Sequence, residues 1–400
     1  MGLTDTPSAN RLQIGLYGRR NSGKSSLLNA LTGQEVSLVS EVAGTTTDPV
    51  AKAMEWHPLG PVLFYDTAGF DDEGELGAQR VERTEKTLEK VDVALLVFAG
   101  EDIAEETAFA RRLKEKHIPT VAVLNQTDLL SDEERDERLA RIGKATGLKP
   151  VAVSARERRG MEQVREALIR AVPEDFGARS IVGGLAGSGD TVLLVMPQDI
   201  QAPKGRLILP QVQTIRELLD KGCVVVSSTA DQMEKALASL AAPPHLIVTD
   251  SQCFPQVYRL KPEESLLTSF SVLFAAYKGD IRTFVEGASA IASLNEHSHV
   301  LIAEACTHAP LQEDIGRVKI PRMLRQRFGE SLQVTLVAGA DFPADLTPYD
   351  LIIHCGACMF NRRYVLSRVE AARSQGVPIT NYGVTLAYLA GILDKVSYEE

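Results

Sequence analysis

Short apolar runs alternate with amphipathic stretches over residues 11–172 of the chain. The runs have the length of buried strands, and the stretches between them repeat their apolar positions with the period of a helix. The pattern predicts strands at 12–17, 62–65, 91–98, 120–124 and 151–153, and helices at 101–116, 131–145 and 161–172. This order is typical of a doubly wound parallel sheet, which Pro173 closes.

A stretch rich in Gly, Ser and charge at 174–189 indicates a linker, after which the alternation begins again. The second unit has predicted strands at 191–196, 223–226 and 245–248, and helices at 211–220 and 230–240. The third has predicted strands at 300–303, 334–337, 351–353 and 376–381, and helices at 315–328 and 362–375. We therefore expect an α/β chain of three domains, at 1–174, 175–260 and 261–400. The second unit carries no catalytic motif, which favours an assembly role for it.

Composition restricts the class of protein. The 400 residues are 44% hydrophobic and 24% charged, which is typical of a globular chain with more than one domain. No apolar run approaches the roughly 20 residues that span a bilayer, and residues 1–11 lack the apolar core of an export signal. We therefore expect a soluble cytoplasmic protein without a membrane partner. The net charge of -10 disfavours nucleic acid as the main partner, because phosphate binding requires a concentrated basic face.

The segment Gly18-Arg19-Arg20-Asn21-Ser22-Gly23-Lys24-Ser25 follows a predicted strand and has the spacing of a phosphate-binding loop. Its glycines let backbone N–H groups turn toward a β-phosphate, its lysine supplies a cation to the β and γ oxygens, and its first serine after the lysine reaches Mg²⁺. The predicted nucleotide-binding residues of this segment are Gly18, Asn21, Ser22, Gly23, Lys24, Ser25 and Ser26.

Two further segments resemble the switch elements of the Ras-like GTPases. Asp66-Thr67-Ala68-Gly69 is similar to switch II, which would place Asp66 near Mg²⁺ and the Gly69 amide at the γ-phosphate. Thr46, within the run 44–48, is a switch I candidate that would ligate Mg²⁺ when the γ-phosphate is present. The order of these segments after the phosphate loop predicts a nucleotide switch.

Asn125-Gln126-Thr127-Asp128 and Ser154-Ala155 resemble the guanine-reading elements of the same GTPases. A carboxylate at Asp128 can accept hydrogen bonds from N1–H and the exocyclic amine of guanine, a pattern that adenine does not offer. GTP is therefore the expected nucleotide. Gln126 stands where the family usually has a lysine that braces the loop, so we expect a weakened clamp on the base. The predicted base-binding residues are Asn125, Asp128, Ser154 and Ala155.

Two positions refine the expected hydrolysis mechanism. Phe70 stands where Ras has a glutamine that orients the attacking water, and a phenyl ring has no group to do so. Asn21 matches the position at which the TrmE/Era-like GTPases, which this domain resembles, hold a monovalent cation. The resemblance implies hydrolysis of GTP to GDP and phosphate that K⁺ stimulates, with an acidic residue in 71–75 placing the water. The predicted catalytic residues are Asn21, Lys24, Thr46, Asp66 and Gly69.

Three of the five cysteines cluster with two histidines near the C-terminus. Cys306-Thr307-His308 is followed, after 45 intervening residues, by His354-Cys355-Gly356-Ala357-Cys358. Each arm follows a predicted strand, and the carboxyl ends of adjacent parallel strands form a ligand crevice. Clustered thiolates in a reducing compartment indicate a metal site, with iron–sulfur or zinc as the alternatives. The surplus histidines and the lone Cys-x-x-Cys favour a cluster with one replaceable ligand over a structural zinc.

The Cys-x-His and His-Cys-x-x-Cys arms, after a GTPase domain with Asn21, resemble the HydF family of FeFe-hydrogenase maturation GTPases over the whole chain. The resemblance implies a GTPase domain, a dimerisation domain and a cluster domain. It implies that Cys306, Cys355 and Cys358 ligate a 4Fe-4S cluster, with His308 or His354 as candidates for the fourth position. It further implies a homodimer that receives a di-iron CO/cyanide precursor as cargo from radical-SAM maturases and delivers it to apo FeFe-hydrogenase.

Two other functions use the same motifs. An Era- or TrmE-like GTPase acting on RNA, with the cysteines as a structural zinc or redox site, would require a basic C-terminal domain. A redox-sensing GTPase with a conventional electron-transfer cluster would require four permanent ligands. Cys223 and Cys253 have no predicted partner residues near them in the sequence, and we interpret both as core thiols.

Overall fold

The computed structural model describes residues 6–33, 50–70, 83–174, 176–177, 179–197, 207–305, 314–339 and 341–399. The chain forms two compact units, Met1–Ala178 and Arg179–Glu400. Several residues that the sequence singled out lie outside the described ranges. They are Thr46, the acidic residues of 71–75, Cys306, Thr307 and His308.

The first unit contains a six-stranded sheet. Its strands are β1 (Leu12–Tyr17), β2 (Val50–Trp56), β3 (Gly60–Asp66), β4 (Val93–Phe98), β5 (Thr120–Leu124) and β6 (Val151–Ala152). The order across the sheet is β2-β3-β1-β4-β5-β6, and every neighbouring pair is parallel except β2 with β3. The predicted doubly wound sheet is confirmed, with an antiparallel edge strand that the apolar pattern did not predict.

Helices cover both faces of this sheet. They are α1 (Lys24–Thr32), α2 (Ala104–Glu115), α3 (Asp132–Thr146) and α4 (Met161–Ala171). Alternate residues of β4 pack into two separate apolar clusters: Val93 and Leu95 into one, Ala94 and Leu96 into the other. This division is the pleat of a strand that is buried on both sides. Ser131 begins α3 in a capping box with Glu134, which explains why the helix starts where the sequence predicted.

The second unit contains two four-stranded parallel sheets. The first is built from β7 (Thr191–Val195), β8 (Val224–Ser228), β9 (Leu246–Thr249) and β10 (Leu266–Ser269). The second is built from β11 (His299–Glu304), β12 (Gln333–Ala338), β13 (Leu351–His354) and β14 (Ile379–Asn381). Their orders are β10-β9-β7-β8 and β12-β11-β13-β14, which is the same winding in both. In each sheet the chain adds a strand on one side of the first strand and then continues on its other side. The carboxyl ends of the strands at this reversal form a switch point.

The helices of the second unit include several that the sequence did not predict. The whole set is α5 (Leu209–Asp220), α6 (Met233–Ala238), α7 (Phe254–Leu260), α8 (Phe270–Lys278), α9 (Ile281–Ala288), α10 (Ile320–Phe328), α11 (Arg362–Ser374) and α12 (Tyr382–Leu389). A turn of π-helix, Ile315–Lys319, leads into α10. α8 and α12 are apolar over most of their length, so periodicity alone could not distinguish them from strands.

The two sheets of the second unit share part of their core. Val195 and Ile247 of the first sheet belong to the same buried cluster as Ile302 and Ile353 of the second. The predicted domain boundary after residue 260 precedes β10, which pairs in parallel with β9. The first sheet therefore includes residues beyond that boundary. None of the helices in the described ranges is long and apolar enough to cross a bilayer.

Candidate functional site

The phosphate loop lies between the end of β1 and the start of α1. Lys24 is the first residue of α1 and is only 7% exposed. Its Nζ donates to the carbonyl oxygens of Gly18 and Arg19, both at 2.9 Å. The ammonium is therefore held inside the loop, where a phosphate oxygen could accept from it. Asn21 is exposed on the outer side of the loop, with a left-handed backbone (φ 60).

Asn125 joins the phosphate loop to the guanine-reading segments. Its Nδ2 donates to the Ser22 carbonyl at 2.9 Å, and its Oδ1 accepts from the Ala155 N–H at 3.1 Å. Gly23 has φ 83, and a Cβ there would lie 2.3 Å from the same Nδ2. The site therefore requires glycine at this position for two reasons, the backbone conformation and the approach of the amide.

Gln126 braces the loop as the usual lysine does. Its Nε2 donates to the Asn21 carbonyl at 3.0 Å, across 105 residues of sequence. Gln126 itself has φ 63, which turns its side chain back toward the loop. The contact with the loop is therefore made by a neutral donor on a side chain shorter than that of lysine.

Ser25 and Asp66, the two predicted groups of the Mg²⁺ shell that the structure describes, are in contact. Ser25 Oγ donates to Asp66 Oδ2 at 2.5 Å. Burial raises the pKa of Asp66, while the Ser25 hydroxyl and the charge of Lys24 act in the opposite direction. A divalent cation between these oxygens would favour the charged carboxylate. Gly69 lies three residues after Asp66, and Thr67 fixes the start of the segment by donating to the Leu16 carbonyl at 2.5 Å.

The predicted guanine carboxylate is partly exposed, and its orientation is fixed by hydrogen bonds. Ser154 Oγ donates to Asp128 Oδ1 at 2.7 Å and accepts from the Glu157 N–H at 3.1 Å. The Ser154 hydroxyl is the largest cause that lowers the pKa of Asp128. Asp128 therefore stays ionised at neutral pH and offers two acceptor oxygens to a base.

Two contacts with α2 were not foreseen. Arg19 Nε donates to Glu106 Oε1 at 2.8 Å, and the Glu106 side chain is fully buried. Phe70 stacks on Phe109, with ring centroids 5.2 Å apart. The phosphate loop and the start of switch II thus rest on one helix. A charged residue in a phosphate loop is a weak signal by itself, and the sequence did not indicate the partner of Arg19.

Cys355 and Ala305, the residue before Cys306, lie at the carboxyl ends of neighbouring strands. β11 and β13 pair in parallel, with Ala303 opposite His354, and the Cys355 N–H continues the ladder to the Ala303 carbonyl at 2.9 Å. The Ala305 N–H then donates to Cys355 Sγ at 3.0 Å. Ala305 immediately precedes Cys306, so the arm that carries Cys306 leaves its strand beside the Cys355 sulfur.

The loop after Cys355 is shaped around its sulfur. Ala357 has φ 45, unusual for a residue with a Cβ, and its N–H lies 3.4 Å from Cys355 Sγ. Lys278, only 2% exposed, donates from Nζ to the carbonyls of Ala357 at 3.3 Å, Cys358 at 2.9 Å and Phe360 at 2.8 Å. Two N–H donors at a sulfur stabilise a thiolate, and a buried lysine holds the loop that presents it.

His354 is buried, and each of its two ring nitrogens contacts a polar atom of a neighbouring group. Its Nδ1 lies 2.6 Å from the Cys355 carbonyl oxygen, and its Nε2 lies 3.2 Å from NH1 of Arg368. A carbonyl only accepts and a guanidinium only donates, so the proton is on Nδ1. Burial, assisted by the charge of Arg368, lowers the pKa of His354 to about 3. The ring is neutral, and its unprotonated nitrogen faces Arg368.

Burial also shapes the titration of the neighbouring groups. It raises the pKa of the Cys355 thiol, against the effect of the Ala305 and Ala357 N–H donors. It raises the pKa of Tyr382 well above its ordinary value, so this phenol is neutral. In the ranges that the structure describes, no group of three or more Cys, His, Asp or Glu side chains could hold a metal ion, and Cys306 and His308 lie outside those ranges.

The other two cysteines lie in or against the apolar clusters of the second unit. Cys223 is buried in the core of the first sheet of the second unit, and its thiol donates to the Gly187 carbonyl at 3.1 Å. Cys253 is partly buried and packs against the large core cluster of the second unit. Both positions agree with the interpretation of core thiols.

Three family models match the chain in succession. Residues 13–126 match a 50S ribosome-binding GTPase model, residues 181–279 the hydrogen maturase F dimerization domain, and residues 282–397 the hydrogen maturase F tetramerization domain. The chain is 38% identical over 185 residues to GTPase Der of Wolinella succinogenes, covering 44% of this chain and 38% of that protein. It is 35% identical over 164 residues to tRNA modification GTPase MnmE of Laribacter hongkongensis, covering 40% and 35%.

A solved structure of Era, in complex with MgGDPNP and 16S ribosomal RNA nucleotides, matches 55% of this chain and 92% of that chain, with 20% identity and a TM-score of 0.37. The chain spans under two fifths of the length of both curated relatives described above. Their similarity therefore concerns the GTPase domain. The two consecutive models between residues 181 and 397 are the ones that distinguish this chain.

Proposed function

The chain belongs to the hydrogen maturase F family, and from that membership we propose that it is a GTP-hydrolysing scaffold and carrier. It binds a 4Fe-4S cluster with one exchangeable iron position and delivers a di-iron unit bearing CO and cyanide to apo FeFe-hydrogenase. The observation that carries this proposal is the 3.0 Å contact between the Ala305 N–H and Cys355 Sγ, because Ala305 is the residue that precedes Cys306.

The residues of the phosphate loop and its neighbours support the proposed GTP hydrolysis. Lys24 would neutralise the β and γ oxygens, while Ser25 and Asp66, already in contact, would hold Mg²⁺ together with Thr46. Asp128 reads guanine, and Asn125 keeps the base-reading segments in register with the loop. Catalysis is then positioning and charge stabilisation, since none of these groups forms a covalent bond to the nucleotide.

Potassium fits the exposed position of Asn21. Asn21 is exposed, and its backbone carbonyl accepts a hydrogen bond from Gln126. A cation bound there supplies positive charge to the transition state that an arginine supplies in other GTPases. Phe70 cannot supply a water-orienting group, since its ring is stacked on Phe109.

The residues at the cluster site fit an iron–sulfur cofactor. Cys355 accepts N–H hydrogen bonds from Ala305 and Ala357, which is the arrangement that stabilises a ligating thiolate. Cys306, Cys355 and Cys358 would hold the cluster. When bound, the cluster supplies an iron whose fourth position can take an external ligand. The chain's own contribution is to fix the loop through Lys278 and to keep the sulfurs at the crevice between β11 and β13.

The oligomer is proposed to form through the first sheet of the second unit. Exposed apolar side chains lie on and beside α5 and at the start of the edge strand β8: Leu207, Ile208, Val212, Leu219 and Val224. Residues 181–279 match a dimerization domain, so we assign this surface to a second copy of the chain. Val212→Glu should shift the mass measured by light scattering toward the monomer. Leu129→Glu, at an exposed leucine of the first unit, is the matched control.

A transfer assay tests the carrier role, with the radical-SAM maturases and apo FeFe-hydrogenase as partners. Reconstituted protein is loaded with a synthetic di-iron complex bearing CO and cyanide, and hydrogen production is measured after addition to apo-hydrogenase. Activation is expected with the wild type and not with Cys355→Ser. Equal activation by both proteins, or by the free complex alone, would show that the cysteine site carries nothing.

A further inference from the structure

Arg368 is the largest of the fully buried side chains in the part of the chain that the structure describes, and one hydrogen-bonded residue separates it from Cys355. It is 2% exposed and comes from α11, which begins four residues after Cys358. Its NH1 donates to His354 Nε2 at 3.2 Å, and its NH2 donates to the Gly339 carbonyl at 2.6 Å and to the Tyr364 hydroxyl. The guanidinium thus reaches Cys355 through a single imidazole, whose other nitrogen contacts the Cys355 carbonyl.

The charge of Arg368 has no carboxylate beside it in the described part of the chain. The hydrogen-bond partners of Arg368 are neutral. Its Cζ lies 4.4 Å from the ring centroid of Tyr364 and 4.7 Å from that of Phe342. Its buried Nε has no hydrogen-bond acceptor among the described residues. A buried cation is costly unless an anion or a set of dipoles compensates it. Aromatic faces and one carbonyl compensate only in part.

The other ionisable groups around the site are an ion pair, a neutral phenol and a lysine bound by neutral carbonyls. Glu304, at the end of β11, is paired with Arg317 at 2.8 Å. Tyr382 is a neutral phenol whose hydroxyl has no partner in the described residues. Lys278 is bound by three carbonyls of the loop. Arg368 is therefore the fixed charge that lies behind His354, on the side of the ring away from the Cys355 carbonyl.

We propose that Arg368 is a positioning residue of the cluster site: through its contact with His354 it fixes the imidazole against the Cys355 carbonyl and adds a permanent positive charge behind the cysteine loop. This charge makes the exchangeable iron position selective for anionic ligands such as cyanide. The inference rests on the proposed function, because it requires a cluster held by Cys355.

The same contacts determine what His354 does. Its unprotonated Nε2 accepts from Arg368, and its Nδ1–H donates to the Cys355 carbonyl. Neither nitrogen has a lone pair free to ligate iron in this arrangement. His354 is thereby assigned to the support of the loop, and the fourth iron position is left to a ligand from outside this histidine.

The test compares an anionic with a neutral ligand on the reconstituted, reduced full-length protein. Cyanide and imidazole are titrated into wild type, Arg368→Gln and Arg368→Lys, and the change in the EPR spectrum gives a dissociation constant for each. Arg368→Gln should weaken cyanide binding by at least about tenfold and leave imidazole binding within about twofold. At an effective dielectric constant of about 20, the attraction between a unit charge and an anion several ångströms away changes the anion's dissociation constant by about this factor. Arg368→Lys, which keeps the charge, should preserve the wild-type ratio of the two constants.

The outcomes separate the inference from the proposed function. If the wild type binds no iron–sulfur cluster, the proposed function fails. If it binds a cluster and Arg368→Gln weakens both ligands equally, Arg368 is merely structural and the inference is wrong. If Arg368→Gln does not hold a cluster, Arg368→Lys decides: a loss of the cyanide preference overturns the inference, and its retention supports it. A nitrogen hyperfine coupling in the wild type that disappears in His354→Gln would overturn the assignment of His354.

Discussion

The backbone N–H of Ala305 donates to the sulfur of Cys355 at 3.0 Å, although the two residues lie 50 positions apart in the chain. The contact arises because β11 and β13 are parallel neighbours, and their carboxyl ends meet at the switch point of a four-stranded sheet. Cys355 directly follows β13, and Ala305, which directly follows β11, precedes Cys306 in the sequence. The sheet topology therefore brings the Cys355 sulfur to the residue before the Cys306 motif.

Gly23→Ala should abolish GTP binding. A Cβ at this position would lie 2.3 Å from Asn125 Nδ2, and φ 83 disfavours any side chain. Gly33→Ala is the matched control, because Gly33 also has a positive φ of 66 but nothing within 4 Å of its Cβ position. Isothermal titration with GTP measures both variants. Equal losses in the two would mean that backbone strain, and not the Asn125 contact, makes Gly23 necessary.

Gln126→Ala should weaken GTP binding by about fivefold to tenfold, since one hydrogen bond that braces the loop is worth about 1 kcal/mol. The lost bond joins Gln126 Nε2 to the Asn21 carbonyl. Gln126→Lys restores a donor with a charge and should bind GTP at least as tightly as the wild type. The same titration measures these variants. Unchanged affinity in Gln126→Ala would remove the bracing role.

Ser154→Ala should move the acid limit of GTP binding to higher pH. The Ser154 hydroxyl lowers the pKa of Asp128, so the carboxylate that reads guanine stays charged as the pH falls. Without the hydroxyl the pKa rises toward its ordinary value, and protonation removes an acceptor earlier in an acid titration. Affinity measured from pH 7 downward with a fluorescent GTP analogue shows the shift. Superimposable pH profiles would contradict this account of Asp128.

Replacement of K⁺ by Na⁺ should slow GTP hydrolysis by about tenfold or more, because the smaller ion fits the Asn21 position less well. Asn21→Ala should abolish the difference between the two salts. Phosphate release at matched ionic strength measures the effect. The backbone contact to Gln126 is unaffected by this substitution, so loss of loop bracing would not explain the result. Equal wild-type rates in both salts would exclude a K⁺ role.

The strands and motifs could be predicted from sequence because they depend on local pattern. β4 and β13 are continuous apolar runs, and the phosphate loop has fixed spacing between a strand and a helix. β2 was missed because it is an antiparallel edge strand in which Lys52 and Glu55 interrupt the apolar positions. α8 was missed because an apolar run has no period to read.

The partners of buried charges could not be predicted in the same way. Arg19 with Glu106 and Lys278 with the Cys358 carbonyl are separated by 87 and 80 residues. Only the packing of helices on sheets brings them together. The role of His354 is a further example: next to a cysteine it resembles a ligand in sequence, but the fold turns its free nitrogen toward Arg368.

Anaerobic reconstitution with iron and sulfide, followed by pulsed EPR of the reduced protein with ¹³C-labelled cyanide, checks the proposed GTPase that carries an iron–sulfur cluster with one open position. We expect a 4Fe-4S signal with ¹³C coupling in the wild type and in Lys24→Ala, and no cluster in Cys355→Ser. A protein that binds zinc without iron, or a cluster whose spectrum cyanide leaves unchanged, would refute the proposal.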